Sequence, residues 1–121
     1  MEHLATLIYQ TLQNVYGRVF LGYNPSTVLE YPYVTYTLDA EALAPSSEGF
    51  YLDMDIFDRN ASYAQIFAVE GDFKEQLDNY RFMTDQALFR FRYSGSTNID
   101  TMDNELKRRN VRFYVKIDWR K

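Results

Sequence analysis

Phe50-Tyr51-Leu52-Asp53-Met54-Asp55-Ile56-Phe57 alternates apolar and polar side chains with a strict period of two. A β-strand sends successive side chains to opposite faces, so this octet reads as a half-buried strand with Phe50, Leu52, Met54 and Ile56 inward. A second alternating run, Val111, Phe113, Val115, Ile117 and Trp119, is interleaved with Arg112, Tyr114, Lys116, Asp118 and Arg120. Ala87 to Tyr93 shows the same pattern, with Phe89, Phe91 and Tyr93 on one face and Leu88, Arg90 and Arg92 on the other. Tyr33 to Leu38, all β-formers behind Pro32, completes four predicted strands.

Around these strands the periodicity changes. Leu4, Leu7, Ile8, Leu12, Val15 and Tyr16 recur at three- and four-residue spacing, which predicts an amphipathic helix closed by Gly17 or Gly22. Tyr63, Ile66, Phe67, Phe73, Leu77 and Tyr80 predict a second helix, with Ser62 and Gln65 at capping-box spacing and Gly71 as a point of kinking or close approach. Arg18 to Glu30 reads as a connector and Ala40 to Gly49 as a long hairpin loop. Ser94 to Asn110 reads as a polar segment with a helical turn around Asp100 to Arg108. The expected fold is α+β: a mainly antiparallel four-stranded sheet with two helices packed on one face, in the order α-β-β-α-β-β. Its 121 residues suit a single domain spanning 1–121.

Composition narrows function. Without cysteine, disulfides and thiolate metal sites are excluded, and a single histidine, His3, leaves little imidazole chemistry. No apolar run reaches the roughly 18 residues that cross a bilayer, and the N-terminus lacks a signal-peptide pattern. No membrane partner and no export are therefore expected. The net charge of -4 is unevenly spread: up to Tyr80 stand 12 acidic and 3 basic residues, and from Arg81 onward 10 basic and 5 acidic. Such complementary halves can be satisfied by pairing strands within the fold or by contact between copies. An aromatic content of 17% exceeds what a small core easily buries and favours an interface.

Asp53 and Asp55 share a strand face about 7 Å apart and resemble a divalent-cation pair. The alternation continuing through Ile56 argues instead for cross-strand pairing with Arg90, Arg92, Arg112 or Lys116. Tyr51, Phe57 and Tyr114 fall on that same face, so Tyr51, Asp53, Asp55, Phe57, Arg90, Arg92, Arg112, Tyr114 and Lys116 form a candidate subunit interface. Lys107-Arg108-Arg109 with Arg112 is the only basic run and the one candidate phosphate contact. No glycine-rich phosphate loop, nucleophile elbow or metal-ligand spacing is present, so catalytic, metal and cofactor residues are all read as none.

Three stretches carry a family resemblance: Tyr31-Pro32-Tyr33-Val34-Thr35-Tyr36 after an N-terminal helix, Tyr51 to Phe57, and the Ser62-Tyr63-Ala64 helix start, with a final strand ending in Trp119. On these the chain resembles the tail completion proteins of the tail terminator type in long-tailed phages and prophages. The resemblance implies a virion assembly protein made in the host bacterial cytoplasm and located at the head-tail interface. It implies a homo-oligomer, a hexameric ring that caps the tail tube, meets the tail tube protein and the head connector, and lets DNA pass without specific binding. It implies no catalysis. On this view the Ala40 to Gly49 and Ser94 to Asn110 loops face the lumen or neighbouring rings. Alternatives are a head-side joining protein, a small acidic adaptor or inhibitor, and a metal-dependent phosphatase or nuclease using Asp53 and Asp55.

Overall fold

The structure, a computed structural model, describes residues 2–44 and 47–120. Helix α1 (Glu2–Val15) leads into a short strand β1 (Val19–Leu21), then β2 (Tyr33–Ala44) and β3 (Ser47–Arg59). Helix α2 (Ala64–Leu77) is followed by β4 (Arg81–Met83), β5 (Ala87–Ile99) and β6 (Leu106–Trp119). One six-stranded sheet runs in the order β1-β2-β3-β6-β5-β4. Each half contributes a helix and three strands, and the halves meet at β3 and β6, which pair antiparallel from Ser47↔Asp118 to Arg59↔Leu106.

The α+β class holds, but the sheet differs from the expected four antiparallel strands. Two further strands flank it, and β1 runs parallel to β2, so the sheet is mixed and the order is α-β-β-β-α-β-β-β. Val19-Phe20-Leu21 and Arg81-Phe82-Met83 are three residues each, too short to show a period, and exist because β2 and β5 offer them a ladder. The expected hairpin loop at Ala40 to Gly49 is mostly strand: β2 runs on to Ala44 and β3 starts at Ser47, while residues 45 and 46 lie outside the described residues. Ser94 to Ile99 and Leu106 to Asn110 are strand as well, and the expected helical turn is a tight connection at 100–105. There Asp100, Thr101 and Asp103 side chains accept from backbone N–H groups two residues ahead, the local bonding that favours turns over helix. The two hairpins therefore form long arms that point to opposite ends of the sheet.

The core lies between the helices and one sheet face. Leu4, Ile8 and Leu12 of α1 and Ile66, Val69, Phe73 and Leu77 of α2 meet Leu52, Met54, Ile56, Phe91, Val111, Phe113 and Val115 in one buried cluster. Burying each such large side chain contributes about 1.5–3 kcal/mol, which is what holds the helices on the sheet. Phe67 and Tyr80, expected on the α2 stripe, are largely exposed. The Ser62 hydroxyl accepts from the Ala64 N–H at 3.3 Å, and Tyr63 occupies the cap position without a side-chain bond, so the Ser62/Gln65 capping box does not form. Gly71 admits no close neighbour: α2 continues through it, with nothing within 4 Å of where a Cβ would stand.

Candidate functional site

Period-two alternation fixes the second face of the sheet, which no helix covers among the described residues. Tyr51, Asp53, Asp55 and Phe57 of β3 stand beside Arg108, Asn110, Arg112, Tyr114 and Lys116 of β6, and beyond them lie Arg90 and Arg92 of β5. All nine residues of the candidate interface are thus gathered on one surface.

Their charges are spent mainly on each other. Arg112 sits opposite Asp53 and donates through Nε and Nη2 to its two carboxylate oxygens at 2.9 and 3.2 Å. Asp53 in turn raises the Arg112 pKa, through the hydrogen bond first and its charge second. Asp55 is held by Arg108 at 3.0 Å and by the Asn110 amide at 3.2 Å. Arg90 pairs with Asp118 at 3.0 Å, Lys116 with Asp118 at 3.9 Å, and Arg92 with Asp78 at 3.8 Å. The aromatic residues cap these pairs: Arg112 lies over the Tyr51 ring, Tyr51 meets Tyr114 edge to face at 5.1 Å, and Arg108 lies over Phe57. Of the expected partners of Asp53 and Asp55, only Arg112 reaches one; Arg108, which sequence reasoning placed in a phosphate-binding run, takes the other.

The basic run is divided by the strand it lies on. Lys107 and Arg109 project to the helical face and Arg108 to the open face, as alternation in β6 requires. Lys107 donates to the Asn104 carbonyl and lies over the Tyr63 ring. Arg109 donates through Nε to Glu70 of α2, to Asn98 at 2.7 Å and to Ser96 at 3.0 Å. Ser96 donates to the second Glu70 oxygen at 2.6 Å, so the Tyr93 hydroxyl, which contacts Ser96, must be the donor there. Burial is the largest influence on Glu70 and pushes its carboxyl up; the hydrogen bonds of Arg109 and Ser96 and the charges of Arg109 and Lys74 together outweigh it, leaving the pKa below the ordinary value. This network joins α2 to β5 and β6, and sequence reading missed it because Glu70 looks like one more solvated helical glutamate.

Among the described residues, five of the seven ion pairs join a residue before Tyr80 to one after it, so the unequal charge of the two halves is largely settled inside the fold. Around the β4 end of the open face, the side chains of Arg81, Arg90, Arg92, Tyr114 and Lys116 line a depression of about 260 Å³. Only Asp78 and Asp118 answer those four cations in ion pairs among the described residues. Among those residues no group of three His, Asp or Glu side chains is placed to hold a metal ion, and the His3 side chain lies outside them.

The fold is similar to that of a virion chain. The match is to a chain of the structure described as the virion of a native gene transfer agent (GTA) particle, with a TM-score of 0.72. It covers 92% of this chain and 91% of that one at 14% sequence identity. No protein-family model and no curated protein matches the sequence.

Proposed function

We propose that this chain is a structural protein of a phage-like virion, acting as a tail terminator or tail completion protein. The observation that carries this reading is the fold shared over nine-tenths of both chains with a component of a gene transfer agent virion. The sequence resemblance to tail terminators, carried by Tyr31 to Tyr36 and Tyr51 to Phe57, narrows it to the tail. In this role a ring of copies, six by the resemblance, caps the tail tube and receives the head connector at the head-tail interface. DNA passes through without specific binding, and the protein carries out no catalysis. The open sheet face with Tyr51, Phe57 and Tyr114 meets a neighbouring component, its carboxylates entering the contact already paired rather than as lone ions.

The test is light scattering of the purified protein across a concentration series, negative-stain imaging of larger species, and co-sedimentation with tail tube protein. Closed rings that bind tube ends support the role. Absence of any binding to the tube removes it.

A further inference from the structure

Both margins of the sheet are only partly covered. Strand β1 pairs with Val34, Thr35 and Tyr36 and stops, leaving β2 from Thr37 onward without a neighbour on that side among the described residues. Strand β4 pairs with Leu88, Phe89 and Arg90, and the chain at Asn79 and Tyr80 bonds to Phe91, leaving the far end of β5 equally bare. Bulges limit the flat part of each free edge, at Leu43 in β2 and at Ser94 in β5. What remains is Thr37–Ala42 on one margin and Gly95–Ile99 on the other. Neither stretch contains the proline or lysine that commonly protects an edge.

We infer that these two edges are each other's partners in a second copy: β5 of one chain adds, antiparallel, to β2 of the next. Four lines of evidence converge on it. Strands β2, β3, β6 and β5 alternate in direction, so a β5 edge set against a β2 edge continues the alternation. Their levels differ: Thr97 is level with Thr35 through Asn110 and Asp55, whereas the free β2 edge centres near Asp39. Joining them therefore offsets the copies by about four to five residues along the strand, roughly 15 Å, for four strands, or about 19 Å, across. That offset tilts the strands about 40° from the axis of a closed array, within the roughly 35–45° of closed barrels. It also carries the incoming β5 past the point where β1 ends, so neither short strand obstructs the other copy.

Charge agrees. Thr37 to Leu52 holds Asp39, Glu41 and Glu48 with no base, whereas Arg92 to Arg112 holds five bases against three acids. The acidic arm is brought toward the depression edged by Arg81, Arg90 and Arg92. Because the two edges differ, the contact is heterologous and each copy keeps one of each to offer, the arrangement that builds rings rather than pairs.

The chain contains no cysteine, so introduced ones report alone. Asp39→Cys and Thr97→Cys lie on exposed positions of the open face at the expected meeting level. With diamide the double variant should form a ladder of covalent oligomers, each single variant should stay uncrosslinked, and mixing the two singles should give dimers. In wild-type protein, amide exchange within 37–42 and 95–99 should slow together by about tenfold or more as concentration drives assembly. A chain that stays monomeric without crosslinks, or that assembles while both edges exchange freely, overturns the inference. Tube binding with free edges would leave the virion role standing alone, and paired edges without tube binding would do the reverse.

Discussion

Arg109 on the central strand β6 clasps Glu70 of α2 through its Nε, and Glu70 is almost wholly buried beneath the helix. A helix otherwise held by non-directional apolar contacts thereby acquires a fixed rotation and height on the sheet. Glu70→Gln should cost about 2–4 kcal/mol in a urea titration, since it leaves the Arg109 guanidinium without its counter-charge in a mostly buried setting. Arg109→Leu should cost a similar amount. The Glu70 carboxyl sits below its ordinary value, so its contribution is complete above about pH 4.5, the unfolded value, and is lost as pH falls through the lower folded value. The gap between wild type and Glu70→Gln should therefore be full at neutral pH and shrink below pH 4.5; a gap constant down to pH 3 would contradict the pairing.

Gly49 explains a second local choice. A Cβ there would land on the hydroxyl end of the Tyr114 ring, which packs against the bare backbone of β3. Gly49→Ala should force Tyr114 off its rotamer and cost about 1–3 kcal/mol. Combining it with Tyr114→Ser should recover much of that loss, a non-additivity readable in a double-mutant cycle.

How much of this was legible follows from where the information lies. Period two is a local property, so Phe50 to Phe57 and Val111 to Trp119 declare both strand and face, and the nine face residues can be grouped without the strand order. The arms were not legible: Ala40-Glu41-Ala42-Leu43-Ala44 and Ser94-Gly95-Ser96-Thr97-Asn98 have weak β-propensity, and they extend because each hairpin partner supplies its ladder. The same non-local cause hid Arg108 as the partner of Asp55. Adjacent positions in a strand face opposite ways, so a run written Lys107-Arg108-Arg109 reads as one patch although the fold separates it.

Asp53 and Asp55 also make a metal test decisive. Arg112, Arg108 and Asn110 already occupy their oxygens, and a cation would have to displace all three. Adding millimolar Mg²⁺ or Mn²⁺ should leave the melting temperature unchanged. An increase that grows with concentration and disappears in Asp53→Asn would point to a bound ion instead.

Asp58 departs from the rule that buried charge is paired. It closes the inward row of β3 at 2% exposure, and its Oδ2 has no hydrogen-bond partner, although Tyr16 and Arg18 lie in the same corner, bonded to each other and to the Pro32 carbonyl. An unsatisfied buried oxygen costs about 1–3 kcal/mol, so removing it should help. Asp58→Ala deletes both oxygens at the edge of the core and should raise the urea midpoint, by about 1 kcal/mol once the small cavity is set against the gain. A lowered midpoint would mean that the carboxylate is stabilised in that corner, and would make Arg18→Gln, which removes a cation that shares Tyr16 with Asp58, the next variant to measure.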